Sequence, residues 1–302
     1  MSRKRTVLVL GAGASSPYGF PTARQLRKLL LGEGGDGDTR LIHQRVSDIA
    51  SREEASFPIA TVLNSSDQAV IGGEYREQFR QSNLSSIDRF LALRNHEQFS
   101  FHAKNHIAGI LLGCESLQLL RDDWYARLFE LIAGEKAVRD LAIVTFNYDR
   151  SLEVFLTRAY NATFGREDGS KWLSQIPIFH VYGSLGPLDV IEFGKATAWE
   201  WSAQYIKLVR ERAECEQVED IFNWMKSAER IAFLGFGFDE LNMHAIGLHE
   251  GRERRFKATV YATRMGLATE RRMQTETLLK SNNVVQWFNG PVDDLLHSMC
   301  VF

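Results

Sequence analysis

Short, continuous apolar segments, each followed by a polar or glycine-rich turn, constrain the fold of this chain more than any other feature. The first is Thr6-Val-Leu-Val-Leu10, which ends at a Gly-Ala-Gly turn. A segment that is apolar on both faces is typical of a strand buried inside a parallel sheet. Segments of the same character follow at Leu141–Phe146, Ile176–Val181, Ile231–Leu234, Ala258–Tyr261 and Val284–Phe288.

Helical patterns separate most of these segments along the chain. Helices are predicted over Ser151–Tyr160, Trp199–Lys226, Leu241–Glu250 and Gly266–Leu279. A regular alternation of strand and helix is the pattern of an open α/β sheet. The sequence therefore predicts an α/β fold, a Rossmann-like open parallel sheet with helices on both faces.

Residues 39–140 have a different character. Apolar residues recur there at helical spacing, as at Ile87, Phe90 and Leu91, and runs of β-branched residues are few. This stretch is predicted to be a helical insertion subdomain after the first strand-and-helix unit. Residues 1–38 and 141–302 are predicted to form the layered α/β domain.

The charge balance argues against a general affinity for polyanions. Lys and Arg number 36 against 38 Asp and Glu, which gives a formal net charge of -2. No overall basic field exists to concentrate nucleic acid or an anionic membrane, so direct nucleic-acid binding is not expected. A basic cluster at residues 252–257 is more typical of a solvated edge.

Cysteine and histidine spacing gives no metal site. Cys114, Cys215 and Cys300 lie far apart and form no C-x-x-C pair, so neither a zinc ribbon nor a disulfide framework is expected. His102 and His106 are one helical turn apart but have no third ligand nearby. A reducing cytoplasm and no bound metal are the expectations.

The first apolar run is also too short for a signal-peptide core or a membrane span.

The turn after the first strand is suited to a phosphate group. In Gly11-Ala-Gly13 the missing Cβ atoms would let backbone N–H groups approach a pyrophosphate closely. Ser16 replaces the third glycine of G-x-G-x-x-G, and the next helix is predicted to begin at Thr22, which forms a capping box with Gln25. A tight turn without a ligand is the alternative interpretation.

Polar residues also follow later strands, and each has a structural alternative. Asn147 and Asp149 end the second strand, where Asp149 could cap the next helix and Asn147 could complete a turn. His180 follows the third strand, and Asp239 could cap a helix after the fourth. In open α/β sheets, however, ligands bind at the carboxyl ends of the strands.

The first glycine-rich segment resembles the NAD-binding motif of sirtuins, G-A-G-I-S-x-x-S-G-I-P-D-F-R. The matching residues are Gly11, Ala12, Gly13, Ser15, Gly19, Pro21 and Arg24. Ala23 stands where sirtuins carry a Phe that covers the nicotinamide ribose, and Thr22 stands where they carry Asp. The resemblance implies NAD+ binding at a site that is less shielded from water.

Two further segments resemble sirtuin motifs in the same order. Thr145-Phe-Asn147-Tyr-Asp149 is similar to T-Q-N-I-D, whose Asn and Asp lie beside the nicotinamide ribose. The segment Phe179–Ser184 resembles the one in which a catalytic His precedes Gly-Ser, here Gly183-Ser184. Tyr182 occupies the usual His position and His180 lies two residues earlier. His180 is favoured because its ordinary pKa of about 6.5 suits proton transfer, whereas that of Tyr is about 10.

The remaining matches lie in the fourth strand's turn and in the helical stretch. Gly235-Phe236-Gly-Phe-Asp239 resembles the later turn with which sirtuin-like proteins hold the ribose and phosphate end of NAD+. Ser85-Ser-Ile-Asp88-Arg-Phe-Leu91 resembles the S-I-D-x-F-L signature of sirtuin-like domains in bacterial defence proteins. A capping pair of Ser85 and Asp88 is the alternative.

Together these motifs resemble the zinc-less, sirtuin-like NAD+ hydrolases of antiphage defence. The resemblance implies cleavage of NAD+ to nicotinamide and ADP-ribose, with Asn147, Asp149 and His180 as catalytic residues. It also implies a homo-oligomer that acts with a partner such as a HerA-like DNA translocase. A catalytically silent NAD+ or ADP-ribose-binding assembly subunit and an NAD+-dependent protein deacylase are the alternatives. A deacylase normally carries the four-Cys zinc module, which this chain cannot build.

Overall fold

A six-stranded, entirely parallel sheet forms the centre of the molecule, in the strand order β3-β2-β1-β4-β5-β6. The computed structural model describes residues 4–33, 35, 37–52, 66–121, 123–134, 138–209, 211, 217–248, 257–264, 266–279 and 285–298. The strands are β1 (Thr6–Leu10), β2 (Leu141–Thr145), β3 (Ile178–His180), β4 (Arg230–Leu234), β5 (Thr259–Thr263) and β6 (Gln286–Phe288). All six predicted strands are therefore confirmed, each within about two residues.

The described helices surround this sheet. They are α1 (Ala12–Ser15), α2 (Ala23–Leu30), α3 (Arg40–Arg52), α4 (Ser66–Ser82), α5 (Ile87–Arg94), α6 (Glu97–Cys114), α7 (Trp124–Ile132), α8 (Ser151–Phe164), α9 (Gly169–Leu173), α10 (Trp199–Ala203), α11 (Val218–Ser227), α12 (Glu240–Ala245), α13 (Thr269–Leu279) and α14 (Val292–Ser298). Every residue of β1 and β2 is buried, as a parallel sheet covered on both faces requires. The predicted α/β class and parallel sheet are confirmed. None of the described helices combines the length and the apolar character that a bilayer-spanning segment needs.

The strand order places a topological switch point beside β1. This strand pairs with β2 on one side and with β4 on the other, so that Leu10 lies opposite both Thr145 and Leu234. The turns after these three strands therefore leave the sheet at the same edge and at the same level. In sheets of this order, ligands bind in the crevice at the switch point.

The single long helix predicted over Trp199–Lys226 is wrong. The structure has α10 and α11 there, and residues 204–208 between them are not helical; residues 210 and 212–216 lie outside the described chain. The interruption has a tertiary cause, because Gly183 forms an antiparallel bridge with Ile206 and the Lys207 amide donates to the Tyr182 carbonyl at 2.8 Å. Pairing with the turn after β3 overrides the local helical pattern.

The described part of residues 39–140 contains helices α3 to α7, which share one hydrophobic core with the sheet. This stretch also packs against the turn after β1. Trp124 Nε1 donates to the Ala14 carbonyl at 2.8 Å, and the Tyr125 amide donates to Tyr18 Oη at 2.8 Å. The Tyr18 and Tyr125 rings stack at 3.7 Å between centroids. Helix α7 therefore holds the turn after β1 in place through Trp124 and Tyr125.

A buried ion pair ties α6 to the start of α8. The guanidinium of Arg150 binds both carboxylate oxygens of Glu115, with Nη2 at 2.8 Å from Oε2, and both side chains are almost fully buried. Arg150 Nη1 also donates to the carbonyls of Gly186 and Ile191. One cation thus joins the end of α6, the turn after β2 and the loop after β3.

Two glycine-rich turns touch backbone to backbone at the switch point. The Gly11 amide donates to the Leu234 carbonyl and the Gly13 amide to the Gly235 carbonyl, both at 3.0 Å. A Cβ on Gly11 would lie 2.6 Å from the Gly235 oxygen, and one on Gly235 would lie 2.1 Å from the Ala14 nitrogen. These glycines are required by the close contact of the two turns.

We expect Gly235→Ala to lower the free energy of unfolding by more than about 2 kcal/mol, because its φ of +57° is left-handed and the new Cβ meets backbone. Gly237→Ala in the same turn is the matched control, since its Cβ would have no atom within 4 Å. Its effect should stay within about 0.5 kcal/mol. Urea unfolding of both variants measures this, and equal stabilities would contradict the proposed role of Gly235.

Candidate functional site

The sequence-predicted polar residues converge at the carboxyl edge of β1, β2 and β3. Asn147 connects the three turns. Its Nδ2 donates to the Gly11 carbonyl at 3.0 Å and to Ser15 Oγ at 2.9 Å, and its backbone carbonyl accepts from His180 Nδ1 at 3.1 Å. Oδ1 of Asn147 has no hydrogen-bond partner among the described residues, so this oxygen is the polar atom left for a ligand.

Asp149 lies beside Asn147 and has a structural task of its own. One carboxylate oxygen accepts from the Ser151 amide at 3.2 Å and from the Ser151 hydroxyl, which fixes the start of α8. Burial raises the pKa of Asp149, an effect that hydrogen bonds from Ser151 and Ser15 reduce. Asp149 thus holds the first residue of α8 from one position before the cap residue Arg150, which makes no side-chain cap bond of its own.

His180 has a partner at each ring nitrogen. Nε2 lies 2.7 Å from Oε1 of Glu153, and Nδ1 lies 3.1 Å from the Asn147 carbonyl. Both the His180 and the Glu153 side chains are 17% exposed. Burial alone would lower the pKa of His180, but the Glu153 carboxylate and the Asn147 carbonyl raise it above its ordinary value.

Tyr182, the other candidate for the catalytic position, is buried and takes no part in the hydrogen bonds of Asn147 described above. Its hydroxyl donates to Asn242 Oδ1 at 2.8 Å, and its ring meets Phe146 edge-on at 5.6 Å between centroids. Its contacts therefore join the turn after β3 to helix α12. Among the two candidates, His180 is the one that touches Asn147.

Asp88 faces the site from the helical stretch. Ser86, not Ser85, caps α5 by accepting from the Arg89 amide, so the expected Ser85–Asp88 capping pair is wrong. Asp88 Oδ1 instead lies 3.5 Å from the Tyr148 hydroxyl. Burial raises the pKa of Asp88 to about 6. The Tyr148 hydrogen bond lowers this pKa, and the nearby Asp239 carboxylate raises it further.

The turn after β4 supplies both a cap and an apolar wall. Asp239 accepts from the Leu241 amide at 2.9 Å and so caps α12, as one of its two interpretations predicts. Phe236 packs at 5.0 Å from Phe146, measured between ring centroids, and Phe238 packs against Phe236. Aromatic faces thus lie directly beside the polar groups that follow β2.

Several predicted binding residues have structural roles in this arrangement. The Gly11 and Gly13 amides are used within the protein, and Ala12 lies between them in α1. Gly183 has a φ of +72°, and a Cβ there would clash with the Tyr205 carbonyl; Ser184 Oγ accepts from the Gly186 amide.

Two residues of the first motif lie near the start of α2 and make different contributions. Thr22 and Gln25 form the expected capping box, and the buried Pro21 precedes it. Arg24 is exposed on α2, and its charge acts on Asp38. A role for Arg24 in nucleotide binding stays a prediction.

Two residues at the site had no sequence signal strong enough to select them. Glu153 is an ordinary acidic residue in the first turn of a helix, and Tyr148 lies between the two motif residues Asn147 and Asp149. Asn242, which the sequence grouped with the turn after β4, lies in α12 and binds the Tyr182 hydroxyl. Glu153 lies six residues after Asn147 in the sequence. This spacing points to Glu153 as a site residue only when His180 is known to contact the Asn147 turn.

Comparisons with known proteins give no family. No model of a known protein family matches the chain, and no curated protein matches it either. Within the described residues, no group of three or more His, Cys, Asp or Glu side chains is placed to hold a metal ion. The functional interpretation therefore depends on the site's geometry together with the motif resemblance.

We expect Asp88→Asn to be more stable than the parent protein above pH 6 and equally stable below pH 4. A folded-state pKa of about 6 exceeds the ordinary value of about 3.9, so folding binds a proton and stability falls as pH rises between the two. Thermal unfolding at pH 4 and pH 7.5 measures the difference. Asp38→Asn is the control, because Lys28 lowers the pKa of that exposed carboxyl and no gain is expected.

Proposed function

We propose that the protein is an NAD+ glycohydrolase that cleaves NAD+ to nicotinamide and ADP-ribose. The observation that carries this proposal is the position of Asn147. Its amide connects the glycine turn after β1 to the turn after β2, at the switch point where open α/β sheets bind nucleotides, and presents one unused oxygen there. The motif resemblance supplies the identity of the nucleotide.

The chemistry fits a site of this kind. Water attacks the anomeric carbon of the nicotinamide ribose, the C–N glycosidic bond breaks, and its electron pair neutralises the pyridinium ring. The products are ADP-ribose, nicotinamide and one proton. Because nicotinamide leaves as a neutral molecule, departure needs no general acid, and the site must stabilise a positively charged sugar carbon. Asn147 Oδ1 orients the water or the ribose, and the Asp149 carboxylate offsets the positive charge.

The remaining groups at the site provide apolar contacts for one part of NAD+ and polar contacts for another. Phe146 and Phe236 offer aromatic faces for the nicotinamide ring. Asp88 and Tyr148 lie where ribose hydroxyls can donate and accept hydrogen bonds. The Gly11 and Gly13 amides are already bonded within the protein, and their Cα atoms pack against the Gly235 turn, so these glycines shape the edge of the diphosphate site and supply no donors to it.

The biological part of the proposal is NAD+ depletion in antiphage defence. The S-I-D-x-F-L resemblance around Asp88 supports it, and so does the position of Asp88 against Tyr148 at the same site. We place the protein in the cytoplasm as a homo-oligomer that acts with a partner such as a HerA-like DNA translocase. An antiphage abortive response would require the NAD+ cleavage to be triggered.

A silent NAD+ or ADP-ribose-binding assembly subunit is the second candidate. It is favoured by the engagement of the side chains at the site, since Asp149 binds the Ser151 amide and both ring nitrogens of His180 are bonded. Nicotinamide release distinguishes the candidates. Binding of ADP-ribose with no nicotinamide released, either alone or with the neighbouring gene's product, would select the silent subunit.

We expect Asn147→Ala to lower nicotinamide release by about 100-fold or more, because it removes the oxygen that orients the reacting groups. It should also lower the free energy of unfolding by about 1–3 kcal/mol, because the Gly11 carbonyl and Ser15 Oγ lose their buried donor. Release from NAD+ by the purified protein, with and without its partner, measures the first effect.

The control for this variant is Asn161→Ala. Asn161 Oδ1 accepts from the Gly169 amide at 2.8 Å in the α8–α9 connection, so this change also removes an amide that fixes a turn. It should reduce stability while leaving turnover unchanged. If Asn147→Ala turns over NAD+ at the parent rate, Asn147 is a turn residue and the proposed mechanism is wrong.

A further inference from the structure

We infer that Glu153 holds His180 as an imidazolium cation, and that this ion pair positions the Asn147 turn instead of accepting a proton from the reactants. Glu153 is thus a positioning residue that acts through His180. The inference deepens the proposed function and rests on it only for the kinetic part of its test. The ionisation of His180 itself is measured without any nucleotide.

Hydrogen-bond geometry carries the inference. His180 Nδ1 faces the Asn147 carbonyl at 3.1 Å, and its Nε2 faces the Glu153 carboxylate at 2.7 Å. The Asn147 carbonyl can only accept, and so can an ionised Glu153 carboxylate, so with Glu153 ionised each ring nitrogen must supply a proton. A neutral imidazole has one N–H group, whereas the imidazolium has two. Only the charged form satisfies both contacts at once.

A general base needs the opposite arrangement. It must present a bare nitrogen lone pair within hydrogen-bond reach of the proton that it accepts. Neither nitrogen of His180 is available in this way, because each is directed at an acceptor within the protein. The expectation that His180 accepts a proton from water or ribose therefore does not fit the geometry.

The charges around the ring favour the cation. Glu153 approaches from α8, and Asp149 in the turn after β2 adds a second negative charge that acts on His180. Burial alone would lower the pKa of His180, yet these two carboxylates and the Asn147 carbonyl together raise it. These charges act in the same direction as the hydrogen-bond geometry, which calls for the imidazolium.

The pair has a mechanical consequence for the turn that carries Asn147. The Asn147 carbonyl is bonded to His180, and His180 is anchored to the first turn of α8 by Glu153. Loss of the proton breaks one of the two contacts and releases either the turn or the helix from the ring. Activity should therefore fall as pH rises through the pKa of His180, whereas a general base would lose activity on acidification.

The first test is an NMR titration of the imidazole ring nitrogens in the nucleotide-free protein. The parent protein, Glu153→Gln and the exposed-site control Glu167→Gln are compared, and His180→Gln identifies the resonance. We expect both nitrogens of His180 to be protonated at pH 7 in the parent. Glu153→Gln should lower the His180 pKa by about one unit or more, and Glu167→Gln should leave it unchanged.

Thermal unfolding gives a second readout without nucleotide. A raised folded-state pKa stabilises the protein fully below the unfolded value of about 6.5, and this stabilisation is lost as pH rises through the folded value. The advantage of the parent over Glu153→Gln should therefore be larger at pH 6 than at pH 9. An advantage that does not change with pH would indicate a merely structural Glu153.

The kinetic test is the pH dependence of nicotinamide release. In the parent protein the rate should decline with rising pH at the pKa that NMR gives for His180, and in Glu153→Gln this decline should move to lower pH. A rate that falls on acidification with that pKa, or a His180 that titrates at or below its ordinary value, would overturn the inference. If no form of the protein releases nicotinamide, the proposed function fails and the NMR titration still decides the state of His180.

Discussion

The contact between the glycine turns after β1 and β4 sets the geometry of the candidate site. Gly235 lies so close to Gly13 and Ala14 that a side chain has no room at Gly11, Gly13 or Gly235. This contact fixes the level at which β1 and β4 end, and the Asn147 amide then attaches the turn after β2 to the same point. Backbone contacts therefore set the relative positions of the turns, and the side chains of the candidate site are mounted on them.

Structural and ligand-binding roles coincide at this edge of the sheet. Asp239 caps α12, as one interpretation of this residue predicts, and Asp149 holds Ser151 at the start of α8 from one position before the cap. Capping does not remove them from the site, because a helix that starts at a strand's carboxyl end brings its cap to the switch point. For such residues the choice between a cap and a functional group is not exclusive, and only a measured activity separates the two contributions.

The parts of the fold that could be predicted from the sequence are those with a local signal. Buried strands have continuous apolar runs, and the Thr22–Gln25 capping box depends on four adjacent residues. The break in the helix predicted over residues 199–226 has no such signal, because it follows from pairing between Gly183 and Ile206. Glu153 was missed for the same reason: its role depends on a histidine 27 positions away that meets it only in the folded chain.

The buried pair of Arg150 and Glu115 has a consequence for how the site could be controlled. All three guanidinium nitrogens of Arg150 donate to Glu115, Gly186 or Ile191, and the residue directly precedes α8 and follows Asp149. Glu115 adjoins the end of α6, so a displacement of that helix would pull on the guanidinium and hence on the neighbouring turn. Arg150 therefore couples α6 mechanically to the turn after β2, so that a force on this helix would reach the candidate site without passing through the sheet.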